Sequence, residues 1–117
     1  MPATILVVDD HPDVADTVAM LLRADSFTVW VARDGREALA ILDTVAVDLV
    51  LADVVMPVMD GFALAAELGR RGGGVPVVLM SAVPGPWAAD GRVAGFLRKP
   101  FGPDELLGAL QSASKIS

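Results

Sequence analysis

Cysteine is absent from this chain, which excludes disulfides, thiolate metal sites and cysteine nucleophiles. A chain without thiols suits a reducing compartment, so a cytoplasmic location is expected. Aromatic residues are scarce, at 5% against 54% for all apolar types, so the core is expected to come from Val, Leu, Ala and Ile and not from rings. That favours buried parallel strands. Basic residues are few as well. Nine Lys and Arg leave a formal net charge of −6, which argues against direct nucleic-acid binding, because a phosphate backbone needs clustered cations. No apolar run is long enough to cross a bilayer without meeting Asp or Arg, and no basic region precedes the strand-like stretch after Met1-Pro2-Ala3-Thr4. A soluble protein with no membrane partner and no export signal is therefore expected. At 117 residues, one domain over residues 1–117 is expected, since two separate cores would each be marginal.

What is present is a repeated alternation. The aliphatic run from Ile5 to Val8 stops at Asp9-Asp10, and a run without polar alternation predicts a strand buried on both faces. From Pro12 to Ala24, residues Val14, Ala15, Val18, Leu21 and Leu22 recur at helical spacing, with proline acceptable in the first turn. Phe27 to Val31 predicts a second strand, and Arg36 to Leu42 a helix entered through Asp34-Gly35. Asp48 to Asp53 predicts a third strand and Gly61 to Arg70 a third helix, ended by Gly72-Gly73-Gly74. Val75 to Met80, Phe96 to Arg98 and Pro103 to Ser112 complete the pattern as two strands and a closing helix. Between Ser81 and Gly95 it fails: Pro84, Gly85, Pro86 and Gly91 oppose a helix, leaving room for a turn or two near Trp87 to Asp90. The expected fold class is α/β, a doubly wound five-stranded parallel sheet in flavodoxin-like order 2-1-3-4-5, with the fourth helix short or missing. In such a sheet the ligand site lies at the carboxyl ends of the strands.

Three acids stand at those ends. Asp9 and Asp10 close the first strand and Asp53 the third, which the strand order makes neighbours. Carboxylates that close raise one another's pKa values unless a hard cation such as Mg²⁺ binds through oxygen. A single strand-end acid is as readily a solvated turn residue, whereas three together favour a metal site. Lys99, after the fifth strand, would bring a point charge to the same crevice, or would simply be a surface lysine. Ser81, after the fourth strand, offers a hydroxyl donor but is equally an ordinary turn residue. His11 adjoins the acidic pair, and a lone loop histidine is expected to face solvent and not to be a ligand.

The run ILVVDD, the segment LVLADVVMPVMDGF, the strand end VLMSA and the run FLRKPF together resemble the receiver domains of two-component response regulators, the CheY-like superfamily. They follow the family's order over nearly the whole chain. The resemblance implies that Asp53 is the phosphoacceptor and that Asp10, Asp53 and the backbone carbonyl of Val55 hold Mg²⁺, with Asp9 assisting through a water. It implies that Ser81 and Lys99 bind the phosphoryl oxygens and that the bond before Pro100 is cis. The implied partner is a histidine kinase or histidine phosphotransferase that supplies the phosphoryl group. The implied protein is not an enzyme acting on a separate substrate but a self-phosphorylating and self-dephosphorylating switch. The switch would be read out as Ser81 moves and an aromatic in the fifth strand turns inward. Phe96 matches that aromatic and, lacking a phenol, is expected to favour the inward rotamer whether or not Asp53 is modified; ordinary core is the equal alternative.

Three departures from the family pattern stand out. Val55 and Val83 replace positions that often carry polar side chains beside the attacking water, so slow self-dephosphorylation is expected. The stretch from Ser81 to Lys99 is short, which would alter the output surface. Trp87 would be an exposed anchor there or, preferably, fold back over the sheet. The chain stops soon after the closing helix and is expected to be a free-standing regulator or a piece of a longer one, as a monomer or a phosphorylation-linked homodimer. A phosphate sink or relay intermediate, or a scaffold that works without phosphorylation, are the alternatives. An aspartyl phosphohydrolase is disfavoured because Val55 stands where a second acid is needed.

Overall fold

In the computed structural model, which describes residues 3–72, 74–82 and 93–114, the alternation becomes β1 (Thr4–Val8), α1 (Pro12–Ala24), β2 (Thr28–Ala32), α2 (Gly35–Leu42), β3 (Leu49–Asp53), α3 (Gly61–Arg71), β4 (Val77–Ser81), β5 (Val93–Arg98) and α4 (Pro103–Ser114). All neighbouring strands pair in parallel, in the order β2-β1-β3-β4-β5. The doubly wound sheet read from the hydrophobic runs is therefore the fold. The segment in which the fourth helix was expected to erode, with Val83 and Trp87, lies outside the described residues.

The strands carry no polar alternation because both faces are covered. Side chains two apart point the same way along a strand. Leu6, Val8, Val50, Ala52, Val77 and Leu79 therefore pack toward Ala38 of α2 and Leu64, Ala65 and Leu68 of α3. Ile5, Val7, Leu49, Leu51, Val78 and Met80 pack on the other face, against Val18 and Leu22 of α1 and Leu106 and Leu110 of α4. Each helix starts where the local chemistry allows it. Asp34 and Asp60 accept hydrogen bonds from the Glu37 and Ala63 amides at 2.8 Å, capping α2 and α3. Pro12 sits in the first turn of α1, where no amide is needed. Gly72, at φ +75°, ends α3 in the left-handed conformation that glycine adopts without a Cβ penalty.

Two strand starts depart from expectation by two residues or more. β4 begins at Val77 and not Val75; Pro76 has no amide to donate, although its carbonyl accepts from the Val50 amide at 3.0 Å. β5 begins at Val93, three residues before Phe96. The register slips between Val77 and Val78, which pair with Val93 and Gly95, so Ala94 is an extra residue in the strand. Glycine beside a bulge reads as a loop in one dimension and as strand once a partner is present.

Gly61 positions the chemistry. A Cβ there would lie 2.6 Å from the Asp53 carbonyl oxygen and 2.7 Å from Leu79 Cδ2, while the Gly61 amide donates to the Val54 carbonyl at 3.0 Å. Gly61→Ala is expected to cost about 2 kcal/mol or more, since backbone cannot yield as a side-chain tip can. Gly108→Ala, at an exposed helical position with open space, should instead stabilise by ~0.5–1 kcal/mol. Urea unfolding of both variants checks the pair; equal effects would contradict the close packing at Gly61.

Candidate functional site at the strand ends

The crevice at the carboxyl ends of β1, β3, β4 and β5 collects Asp9, Asp10, Asp53, Ser81 and Lys99. Asp9 follows β1, and its amide donates to the Ala32 carbonyl at the end of β2 at 3.0 Å. Its carboxylate is fully buried. Oδ1 accepts from the His11 amide at 2.9 Å, and Oδ2 accepts from Lys99 Nζ at 2.8 Å. Lys99 reaches further, with Nζ 3.5 Å from Asp53 Oδ2, so one ammonium bridges the acids of β1 and β3. Its backbone is held by the Ser81 carbonyl, which accepts the Lys99 amide at 2.9 Å, and the bond to Pro100 is cis. Ser81 is buried at the end of β4.

Asp53 closes β3 with its side chain 8% exposed. Burial pushes its carboxyl above the ordinary value of 3.8; Lys99 pulls the other way, Asp9 adds to the rise, and the Val55 amide, which hydrogen-bonds the carboxylate, opposes it. The folded chain therefore holds a proton on Asp53 more tightly than the unfolded chain does. Ionised Asp53 weakens the fold at neutral pH in the absence of a bound cation. Asp53→Asn is expected to melt higher than wild type at neutral pH without divalent ions. The difference should shrink on acidification, as pH falls through the raised value toward 3.8. Thermal melts across that range check this, and a gap that widens on acidification would contradict it.

The residues fit a hard cation. Asp9, Asp10, His11 and Asp53 each offer a ligand atom within 4.8 Å of the others. Asp10 Oδ1 is buried and has no hydrogen-bond partner, a cost that a cation removes. Val55, two residues after Asp53, has its amide on Asp53 and its side chain exposed at the mouth.

Two further side chains have informative surroundings. Phe96 is 37% exposed and so is not fully buried core. It lies tilted against Phe62 of α3, with centroids 6.4 Å apart. It faces the same side as its partner Leu79 on the edge strand, beyond the stripe that α3 covers fully, whereas Leu97 beside it points into the opposite core. His11 is solvent-facing, as expected, with its side chain 65% exposed. Yet its Nδ1 lies 3.2 Å from Asp9 Oδ1, 3.2 Å from Asp10 Oδ1 and 4.0 Å from Asp53 Oδ2. The signal that could have found it is its place between the acid pair and Pro12. As the residue just before α1, it turns back over the strand end.

Among the described residues no helix is long and apolar enough to cross a membrane. The family model of the response regulator receiver domain matches residues 5–111. The chain is 36% identical over 120 residues to the transcriptional regulatory protein GlrR of Escherichia coli K12, covering 99% of this chain and 27% of that protein. It thus spans between about a quarter and half the length of the curated relatives it matches. The structure superposes on the chemotaxis protein CheY4 of Vibrio cholerae with a TM-score of 0.87 at 30% identity, covering 97% of this chain and 99% of that one. It also superposes on the response regulator TrrA of Thermotoga maritima, solved in complex with Mg²⁺-BeF, with a TM-score of 0.85 at 26% identity, covering 95% and 98%. With the sheet order, the strand-end acids and the family match in agreement, this chain belongs to the response regulator receiver domains, the signalling switches of two-component systems.

Proposed function

We propose that this chain accepts a phosphoryl group on Asp53 from the phosphohistidine of a histidine kinase or histidine phosphotransferase, in a Mg²⁺-dependent step. The observation that carries the reading is Lys99 Nζ, 2.8 Å from Asp9 and 3.5 Å from Asp53, in a cluster where Asp10 Oδ1 is buried without a hydrogen-bond partner. Asp10, Asp53 and the Val55 carbonyl would hold the ion, with Asp9 assisting through a water. A bound divalent cation supplies charge neutralisation between two anions that otherwise repel. An Asp53 carboxylate oxygen attacks the phosphorus as the P–N bond to the donor imidazole breaks. The electron pair returns to the ring, and an acyl phosphate forms. Lys99 pairs with a phosphoryl oxygen as a point charge, and the Ser81 hydroxyl donates to another.

A groove of about 510 Å³, lined in part by Val14, Val18, Leu21, Pro100 and Phe101, opens beside Lys99. It offers apolar anchorage to the donor protein. In the output step Ser81 and Phe96 would move together. The Phe96 ring rests against Phe62, a contact worth ~0.5–1.5 kcal/mol that a rotation of the ring in the switch would have to replace. The same reading makes the chain one domain working in the cytoplasm, without nucleic-acid or membrane contact of its own.

Incubation with a small phosphodonor and Mg²⁺, read by intact mass, tests the assignment: one phosphoryl group should be gained. Val55, exposed at the mouth, would leave the acyl phosphate beside an aliphatic side chain that cannot orient a hydrolytic water. Replacing Val55 and Val83 by polar residues is expected to shorten the lifetime of the phosphorylated form several-fold, followed by loss of the mass increment with time. Equal decay before and after would contradict it.

A further inference from the structure

His11 is used by none of the steps above, yet its ring nitrogen stands over the acids. Asp9 is already engaged through both oxygens, by the His11 amide and by Lys99 Nζ. Asp10 Oδ1 has no hydrogen-bond partner, and His11 Nδ1, 3.2 Å from Asp9 Oδ1, presents a lone pair to the cluster in the tautomer that carries its proton on Nε2. Two ligands of one ion with bonds of about 2.1 Å lie about 3 Å apart when adjacent and about 4.2 Å apart when opposite. The 3.2 Å from Nδ1 to Asp10 Oδ1 and the 4.0 Å to Asp53 Oδ2 match those two separations. The ring is mostly exposed and free to adjust, while its backbone is pinned by the Asp9 carboxylate and by Pro12.

From this geometry we infer that His11 is a metal ligand that tilts this site from Mg²⁺ toward transition ions such as Mn²⁺. Oxygen donors alone suit Mg²⁺, whereas an added imidazole nitrogen strengthens the binding of first-row transition ions, Mn²⁺ the weakest of them, more than that of Mg²⁺. The inference rests on the metal reading of the same site.

The test is binding of Mn²⁺ alone and Mg²⁺ alone to the full chain at about pH 8, where free imidazole is neutral. Mn²⁺ is read by its electron paramagnetic resonance, and Mg²⁺ by calorimetry. In wild type, pulsed spectra of bound Mn²⁺ should show coupling to a directly bound ¹⁴N. His11→Ala should abolish that coupling and weaken Mn²⁺ about tenfold, with Mg²⁺ changed less than about twofold. A histidine that merely hydrogen-bonds Asp9 would give no such coupling and would not separate the two ions. Absent ¹⁴N coupling in wild type, or equal changes for both ions, overturns the role of His11 while leaving the acid site intact. Failure of wild type to bind either ion overturns both.

Discussion

Asp53→Ala is expected to reduce labelling by a small phosphodonor and Mg²⁺ to background, while wild type gains one phosphoryl group. The size of the effect follows from the lack of a substitute nucleophile. Asp9 is fully buried and committed to Lys99 and the His11 amide, so neither of its oxygens is free to attack. Asp10 is more exposed, but its Oδ1 is buried without a hydrogen-bond partner and faces the His11 ring at 3.2 Å, an arrangement that suits a cation better than a phosphorus. Asp53 alone combines the Val55 amide, the Lys99 ammonium at 3.5 Å and a side chain that, unlike that of Asp9, still reaches solvent. Chelating Mg²⁺ should slow wild-type labelling without altering the residue labelled. A variant lacking Asp53 that still gained a single phosphoryl group at the wild-type rate would remove Asp53 as the acceptor. Peptide mapping would then show whether Asp10 carries the group.

Lys99→Met is expected to destabilise the metal-free protein by ~3 kcal/mol and to impair labelling as well. The ammonium is 15% exposed and the Asp9 carboxylate 0% exposed, so deleting one partner strands a charge in the interior. Stranding a buried charge typically costs 3–5 kcal/mol. The lower end is expected here because the His11 amide still donates to Asp9. The double variant Asp9→Asn with Lys99→Met should recover most of the stability, since the stranded charge is gone. Labelling should not recover, because the cation facing Asp53 is still missing. Denaturant unfolding and labelling of the four proteins separate the two roles. If the double variant is no more stable than Lys99→Met, the Asp9 pairing is not what Lys99 contributes to the fold.

Much of the architecture was readable in the chain. Ile5–Val8, Leu49–Asp53 and the helical stripes of α1 and α4 announce themselves because covering both faces of a parallel sheet demands uninterrupted aliphatic runs, each followed by a polar turn. Asp34, Asp60 and Gly72 mark helix ends through local chemistry that needs no distant partner. The start of β5 was not readable, since Ala94 and Gly95 become strand only through their slipped register with β4.

The site divides along the same line. Which groups are available, namely the carboxylates, the hydroxyl, the amine and the lone imidazole, follows from residue identity and from their places at the ends of runs. That much is one-dimensional information, because strand ends in a parallel sheet share one edge. How those groups are spent is not. That Asp9 is consumed by Lys99, that Asp10 keeps an oxygen without a hydrogen-bond partner, that His11 bends back over all three acids and that Phe96 rests on Phe62 are facts of distance and burial. Such facts arise only when residues up to 90 positions apart are brought together, and no local pattern encodes them.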